Sequence, residues 1–283
     1  MTNARDIKRR IKSVQSTQQI TKAMKMISAA KLRKSQASVQ AVRPFTAKIE
    51  RIIRDIGKSG VTHPYLCSRP EIHKVCYVVI GSDRGQCGGF NANLHRFLDH
   101  ILEEEKRPYC LIVLGRKAKE YCIRRQYPVL EKFTEIGENP AFSQGQELAR
   151  IISAGYDAGE YDQVILVYSQ FKSAMSQAPI QKQLLPVDYS AMENKFDGRE
   201  FIYEPSGKAI LNVVVPQYVE IDVFCALQEA KASEHGARMT AMSAATDNAN
   251  EMIGKLTLSL NRARQAAITT EISEIVGGAA ALT

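Results

Sequence analysis

Two long stretches at the ends of this chain almost lack glycine and proline, which favours helix over any other structure. Residues 3–57 contain one proline, Pro44, and no glycine before Gly57, and their apolar residues recur at steps of three and four. A single helix of that length would reach about 80 Å, which a globular domain of ordinary size does not need. We expect Pro44 to kink this helix without ending its pattern.

The C-terminal stretch has the same character. From Gln217 to Val276 there is no proline, and the only glycines are Gly236 and Gly254. Small and apolar residues, half of them alanine, form a stripe at helical spacing, and alanine lets two helices approach closely. We predict that the two long helices pair as an antiparallel coiled coil, and that Gly277-Gly278 ends the second one.

The residues between the two helices alternate between strand-like and helix-like patterns. Three short apolar runs are typical of buried strands: Val75–Gly81, Tyr109–Gly115 and Val164–Ser169. Helical patterns follow at residues 91–106, 117–125 and 143–156. This alternation predicts a small, partly parallel sheet covered by helices, a Rossmann-like domain. The predicted fold class is α/β, with an N-terminal coiled-coil helix (1–58), a central α/β domain (59–216) and a C-terminal coiled-coil helix (217–283).

The net charge of +8 is concentrated in one segment. Residues 1–58 contain fifteen Lys or Arg and three acidic residues, which gives a net charge of +12. Residues 217–283 contain five Lys or Arg and eight acidic residues, which gives a net charge of −3. Such a segment predicts an acidic partner, which charge alone leaves open between nucleic acid, anionic lipid and a protein surface. No aromatic residue precedes Phe45, so nucleic-acid bases could not stack there. The pattern therefore favours a protein partner and no nucleic acid.

No motif in the chain predicts catalysis, a cofactor or a metal site. The turn Ser82–Leu94 follows a strand and is rich in glycine, but it has neither G-x-G-x-x-G nor Gly-Lys-Ser/Thr spacing. We interpret it as a tight turn with close helix–strand packing, in which Asp83 and Arg84 form a local ion pair. The five histidines are scattered, and the six cysteines lack C-x-x-C spacing, as expected for reduced thiols. No apolar run approaches the roughly 20 residues of a membrane span, so we expect membrane contact only through partners.

Three segments resemble one known family, the gamma subunits of F-type ATP synthases. Ile7–Gln36 (IKRRIKSVQSTQQITKAMKMISAAKLRKSQ) is similar to that family's first helix. Ser82–Asn93 (SDRGQCGGFNAN) matches its turn motif, with Gln86 where leucine is commoner. Near the C-terminus, ASEHGARMTAMSAATDNANEMI and ARQAAITTEISEIVGGAAAL are similar to its last helix. The three matches come in the family's order and span essentially the whole chain.

The resemblance implies a non-catalytic subunit, the central stalk that rotates inside a ring of alternating alpha and beta subunits. It implies coupling of transmembrane proton or sodium flow to ATP synthesis and hydrolysis, regulation of both, and contacts to the epsilon subunit and the membrane-embedded c-ring. The chain would be peripheral, at the cytoplasmic face of a bacterial cell membrane, with no cofactor of its own. Residues 190–201 lack the insertion of photosynthetic relatives, so thiol regulation of that kind is not expected.

The resemblance also assigns partner contacts. It implies that Met24 and Lys25 face an acidic lever of the catalytic beta subunit. Five further positions match those that help couple the angle of the stalk to the conformation of the beta subunit: Arg238, Gln265, Thr269, Glu271 and Glu274. From the charge pattern, we expect Lys8–Lys34 to guide the stalk by diffuse attraction to acidic ring surfaces.

Two other functions remain open from the residues alone. The first is a nucleotide-using α/β enzyme, which the missing phosphate-loop pattern argues against. The second is a basic coiled-coil protein that binds nucleic acid, with an affinity that falls steeply with salt. Co-purification with a large membrane-associated ATPase would separate both from the stalk.

Overall fold

The computed structural model describes residues 4–58, 60–61, 63–188 and 203–281. These residues confirm the predicted α/β class with a long helix at each end. The elements are, in chain order, α1 (Ala4–Lys58), β1 (Val75–Ile80), α2 (Phe90–Glu104), β2 (Tyr109–Leu114), α3 (Arg116–Arg124), β3 (Val129–Phe133), α4 (Phe142–Asp157), β4 (Gln163–Phe171), β5 (Gln177–Leu185) and α5 (Gly207–Ala281).

The sheet has the strand order β3-β2-β1-β4-β5. The first four strands are parallel, and β5 runs antiparallel to β4. The three predicted strands are confirmed as β1, β2 and β4, and β1 at the centre is buried over all six of its residues. The sequence did not predict β3 and β5, because edge strands need no continuous apolar run and β5 is the polar segment QAPIQKQLL.

Helices cover both faces of the sheet. Alternate residues of β1 point to opposite faces, so Val78 belongs to one hydrophobic core and Val79 to the other. The first core is closed by α1, α4 and α5, with Ile53 of α1 completely buried in it. The second, smaller core is closed by α2 and α3. The end of α1 and the start of α5 are therefore built into the α/β domain.

Helix α5 is longer than predicted at both ends. It begins at Gly207 instead of Gln217 and continues through Pro216 and Gly277-Gly278 to Ala281. A proline inside a helix costs about 3 kcal/mol. Next to Pro216, Val215 and Val219 are completely buried, and each such side chain contributes about 1.5–3 kcal/mol, which offsets that cost. Glycine destabilises a helix by only about 1 kcal/mol per residue. A helix can therefore end at a Gly-Gly pair but can also continue through it, as α5 does.

By length and composition, α5 also contains a window apolar enough to cross a membrane, with a mean hydropathy of 1.5. Of that window, 56% is buried inside the protein. Burial of this kind is what a core helix shows, and the buried apolar residues of α5 cover the sheet.

The chain divides into two compact units. One contains residues 28–238 and holds the sheet with both cores. The other combines residues 1–27 with residues 239–283. The predicted domain boundaries after residues 58 and 216 follow the connectivity of the helices instead of these units, and they stay a prediction.

In the unit formed by residues 1–27 and 239–283, α1 and α5 run antiparallel. Hydrogen-bond partners fall along α5 as they rise along α1: Gln18 with Asn250, Thr21 Oγ1 with Thr246 Oγ1 at 2.8 Å, and Lys25 Nζ with Ser243 Oγ at 2.9 Å. The seam between these helices is therefore partly polar, whereas the sequence predicts an apolar one.

The apolar stripe of α1 does not coincide with this seam. Ile7 and Thr21, fourteen residues apart, are buried, whereas Ile20 is 60% exposed and Ile27 is 52% exposed. In a two-helix seam the contacts repeat every 3.5 residues, so a stripe followed at 3.6 residues per turn drifts off the contact face. The predicted stripe therefore includes an exposed apolar patch around Ile20 and Ile27.

Candidate functional site

The end of α5 is an exposed helical segment. Every residue from Gln265 to Gly277 is exposed. Because α1 and α5 are antiparallel, the two residue numbers of each hydrogen-bonded seam pair add up to nearly the same value, 267 or 268. Extending this register to the start of α1 places Ala4 opposite about residue 264 of α5. Within the described residues, the segment therefore extends past its partner helix. Four predicted contact residues lie on it: Gln265, Thr269, Glu271 and Glu274.

Apolar side chains on the same segment escaped the sequence-based prediction. Ile268, Ile272, Ile275 and Val276 are between 44% and 72% exposed. Their spacing of three and four residues aligns them along one helix face. A helix with such a stripe gains stability when a partner covers the stripe. The i, i+4, i+7 spacing in the sequence is the signal that identifies them.

A second exposed apolar patch surrounds Met24. Met24 is half-buried, and Lys25 is exposed and donates its Nζ proton to Ser243 Oγ at 2.9 Å. Ile20 and Ile27 lie on the same helix face as Met24, at i−4 and i+3, and both are exposed. We define the Met24 patch as Ile20, Met24 and Ile27.

The structure places Arg238 differently from the other predicted contact residues. Its side chain is only 10% exposed and forms an ion pair with Glu234 at 2.8 Å. The guanidinium also donates to Gly85 O at 3.2 Å, in the glycine-rich turn after β1. Arg238 is thus a buried contact within residues 28–238, whereas Met24, Lys25 and the α5 segment present exposed surface.

Arg238 belongs to a buried cluster of charged side chains. Lys231 donates to Glu234 at 3.1 Å, so that two cations flank one carboxylate. Burial alone would raise the pKa of Glu234, but Lys231 and Arg238 outweigh it and the net direction is downward. A further pair joins Lys31 of α1 to Glu138, and burial together with Arg84 and Arg238 lowers the pKa of Lys31.

His235 completes the cluster as a neutral imidazole. Its Nε2 donates to Glu138 O at 3.2 Å, and its Nδ1 accepts from Arg238 Nη1 at 3.4 Å. Burial lowers the pKa of His235 to about 4, with Glu234 opposing this shift and Arg238 adding to it. A second proton on Nδ1 would face the guanidinium, which explains why the cationic form is disfavoured.

The glycine-rich turn serves packing, as predicted. Ser82 is buried and its Oγ donates to Arg84 O at 2.8 Å, closing the turn on itself. A Cβ atom at Gly115 would lie 2.7 Å from Gly81 O, and Gly115 has φ of +93°, so only glycine fits where α3 starts against the turn. The turn offers carbonyl oxygens to Arg238, whereas a phosphate-binding loop offers N–H groups.

Asp83 and Arg84 do not form the predicted local ion pair. Asp83 Oδ1 accepts the backbone N–H of Arg116 at 3.0 Å, at the first residue of α3, and Arg84 pairs with Glu138 at 3.5 Å. The carboxylate thus satisfies an N–H at a helix start, which is a strong local interaction that adjacent charges in a turn cannot match.

Cys87, the cysteine of the glycine-rich turn, is buried. Burial raises the pKa of the Cys87 thiol, which makes it a poor nucleophile. Within the described ranges, no group of three His, Cys, Asp or Glu is placed to hold a metal ion.

The chain is similar to proteins of one class over its whole length. A family model described as ATP synthase matches residues 3–282. The ATP synthase gamma chain of Desulforamulus reducens is 51% identical over 284 residues, and that of Moorella thermoacetica is 52% identical over 284 residues, with 100% of both chains covered in each case.

Solved structures agree with this class. A chain from the central stalk and c-ring structure of the Tetrahymena thermophila mitochondrial ATP synthase is 26% identical, covers 80% of this chain and 99% of its own length, and has a TM-score of 0.61. A chain from the Euglena gracilis mitochondrial ATP synthase is 20% identical, covers 99% of this chain and 94% of its own length, and has a TM-score of 0.71. At this identity the match supports the fold alone. The protein is therefore a subunit of an ATP synthase. Within that class, the chain belongs to the ATP synthase gamma chain family.

Proposed function

We propose that this chain is the central stalk of an F-type ATP synthase, which rotates inside the ring of alpha and beta subunits. It couples proton or sodium flow to ATP synthesis and hydrolysis and regulates both. The observation that carries the proposal is the exposed end of α5, a helix that continues past its partner and offers an apolar stripe to other chains. The full-length match to gamma chains supports it.

The stalk works by presenting different faces to equivalent catalytic subunits. Ion flow supplies about 2.3 kcal/mol for each charge that crosses 100 mV, and the turning stalk carries this energy to the ring. The end of α5 has apolar side chains such as Ile272 on one face and charged ones such as Glu271 on another. Because the faces differ, each catalytic subunit meets a different surface at a given angle.

The chain itself is non-catalytic in this proposal. Parallel α/β sheets bind ligands at the carboxyl ends of their strands, where the strand order reverses. In this sheet that point lies between β1 and β4, and the turn after β1 is occupied there by Arg238 of the chain's own α5. Nucleotide chemistry would then belong to the ring subunits. We expect calorimetry of the isolated chain to detect no ATP binding, and micromolar binding would contradict this.

The predicted partner contacts divide into two groups under this proposal. Met24, Lys25 and the end of α5 face the ring, with Gln265, Thr269, Glu271 and Glu274 beside the apolar stripe. Arg238 contributes through the turn that it holds. The epsilon subunit and the c-ring would bind surfaces of residues 28–238, and the complex would lie at the cytoplasmic face of the bacterial membrane. The relative that is 26% identical comes from a structure of a central stalk with its c-ring, which supports the c-ring as a partner.

The basic residues of α1 would guide the stalk by diffuse attraction. Exposed ion pairs contribute about 0–1 kcal/mol each, so neutralising one of them should have little effect. Lys31 is an exception within Lys8–Lys34, because it pairs with Glu138 inside the same unit.

A charge introduced at the Met24 patch tests the contacts on α1. Met24→Lys adds a long cation to a half-buried apolar position and should lower the ATP-driven ion uptake per ATP hydrolysed in membrane vesicles. Lys8→Gln, which neutralises an exposed lysine on the same helix, is the matched control and should retain coupling. Unchanged coupling in Met24→Lys, with a loss in Lys8→Gln, would contradict both assignments.

The apolar stripe of α5 is tested in the same way. Ile272→Asp should reduce ATP hydrolysis by the assembled complex, because it places a charge where a partner surface would cover the stripe. Thr270→Asp adds the same charge on the opposite helix face and should reduce hydrolysis less. Equal activity of the two variants would argue against the stripe as a contact surface.

A further inference from the structure

Between Gln228 and Arg238, α5 carries polar side chains that are as buried as the hydrophobic core. We call this set of residues the polar lock. Its residues are between 0% and 9% exposed: Gln228, Lys231, Ser233, Glu234, His235 and Arg238. Buried polar groups are costly unless they are hydrogen-bonded, so the hydrogen-bond partners of these residues indicate their role.

Four side chains of the polar lock donate to backbone carbonyls. The bonds are Gln228 Nε2 to Pro140 O at 2.8 Å, Ser233 Oγ to Ser169 O at 2.7 Å, His235 Nε2 to Glu138 O at 3.2 Å and Arg238 Nη2 to Gly85 O at 3.2 Å. The acceptors lie after β1, after β3 and near the end of β4. The helix therefore holds the main chain of three separate segments along the carboxyl edge of the sheet.

Hydrogen bonds to the backbone specify the orientation of a helix more narrowly than apolar packing does. Hydrophobic contacts such as those of Val223 are non-directional, so on their own they specify the orientation of a helix less narrowly than hydrogen bonds do. Hydrogen bonds require a narrow range of distance and angle, and backbone carbonyls in a packed loop cannot follow a moving side chain. Bonds to three segments at once oppose rotation of α5 about its own axis.

The position of the lock matches this role. Its last residue, Arg238, is also the last residue of the compact unit 28–238, and α5 continues from there as helix. Stability alone does not require charges here, because well-packed apolar residues are often at least as stabilising as a buried ion pair.

We propose that the polar lock is the joint that makes residues 207–238 of α5 and the sheet turn as one body when the stalk works against a load. This inference rests on the proposed central-stalk function. Its residues act as positioning residues, since they touch neither nucleotide nor ion. The joint should matter least when the motor runs freely and most when an opposing potential resists rotation.

The test uses the complete synthase in membrane vesicles, with the double substitution Gln228→Met and Ser233→Ala. Both changes keep the side chain close to its original volume and remove two donors without leaving a charge unpaired. Thr257→Ala is the matched control, because it removes an exposed hydroxyl of α5 that bonds only within the helix. Three quantities are measured: hydrogen exchange of the backbone amides of residues 141–145, ATP hydrolysis with ionophores present, and the membrane potential that ATP builds, which a voltage dye reports for either coupling ion.

We expect exchange of these amides to be about tenfold faster in the double variant, as loss of a buried hydrogen bond worth about 1.4 kcal/mol requires. Hydrolysis with ionophores should stay within about twofold of the wild type, and the ATP-driven potential should be clearly lower. Thr257→Ala should match the wild type in all three.

Three results would overturn the proposal. Unchanged exchange would mean that these bonds do not hold the helix. Faster exchange with an unchanged potential would mean that they stabilise the fold without carrying load. Loss of hydrolysis with ionophores present would mean that they serve assembly. The central-stalk function is tested separately, since vesicles with the wild-type chain must build the potential and vesicles lacking the chain must not.

Discussion

Acidification should destabilise the unit that contains residues 28–238, and His235 should account for a measurable part of the loss. The imidazole is only 1% exposed, and its pKa in the folded protein is about 4. The unfolded value is near 6.5. Because the folded pKa is the lower one, the unfolded chain binds the proton first. The stability that neutral His235 provides is present above pH 6.5 and is lost as the pH falls towards 4.

The size of the effect follows from the two pKa values. Each unit of difference corresponds to about 1.4 kcal/mol, so complete titration would remove roughly 3 kcal/mol. Most of that loss lies at strongly acidic pH. Between pH 7.5 and pH 5.5, where a protein of this kind can still be handled, His235 should contribute about 1.4 kcal/mol to the fall in the free energy of unfolding.

The chain supplies its own probe for this measurement. It has no tryptophan, and all eleven tyrosines lie between Tyr65 and Tyr218. Tyrosine fluorescence during urea unfolding therefore reports on residues 28–238 and not on the other unit. The comparison is between the wild type, His235→Gln, which keeps a donor for Glu138 O, and His100→Gln, which removes an exposed imidazole.

The expected result concerns the dependence on pH and not the absolute stability. His235→Gln should lose about 1.4 kcal/mol less than the wild type between pH 7.5 and 5.5, whereas His100→Gln should behave like the wild type. Equal pH dependence in the wild type and His235→Gln would refute the reasoning, since it would mean that this imidazole titrates normally in the folded protein.

Three further predictions concern backbone conformation, core packing and a hydrogen-bonded carboxylate, and the same fluorescence assay can test them. Gly115→Ala should cost at least about 2 kcal/mol, because the residue has φ of +93° and its Cβ would meet Gly81 O. A loss below about 0.5 kcal/mol would contradict this. Ile53→Ala should cost about 2–5 kcal/mol, because this α1 residue is completely buried in the core that α4 and α5 also close, and a change typical of surface sites would show that α1 is not anchored there. The free energy of unfolding of Glu105→Gln should fall less between pH 5 and pH 3 than that of the wild type. Hydrogen bonding to Arg107 lowers the pKa of Glu105 in the folded protein to about 2. The stability that this carboxylate provides is therefore lost as the pH drops below the pKa of Glu105 in the unfolded chain.

The parts of the fold that the sequence predicts are those that depend on neighbouring residues. The run Val75–Ile80 is apolar throughout because both faces of a central strand are buried. The long helices follow from periodicity and from the scarcity of glycine and proline. The edge strands β3 and β5 were missed, since their hydrogen bonds depend on where β2 and β4 lie and not on their own composition. The start of α5 at Gly207 was missed because tertiary burial outweighed Pro216.

The site shows the same division. The exposed residues at the end of α5 can be found from helix periodicity. The sequence-based prediction nevertheless included polar residues such as Glu271 and missed Ile272. The burial of Arg238 could not be predicted in this way. Residues 228, 231, 235 and 238 lie on one helix face, but a solvated helix face has the same spacing. Only the position of the turn that contains Gly85 decides between the two, and that position depends on the folded sheet.

The polar seam between α1 and α5 has a consequence for how the two helices are aligned. Apolar seams tolerate a shift of one helix along the other, because one leucine or alanine serves nearly as well as the next. An axial slip of one turn, about 5.4 Å, would separate Thr21 from Thr246 together with the pairs on either side. As with a single asparagine in a leucine zipper, polarity here specifies register at some cost in stability. The polar pairs of the seam thus determine how many residues of α5 extend beyond the start of α1, although these pairs lie far from the exposed end of α5.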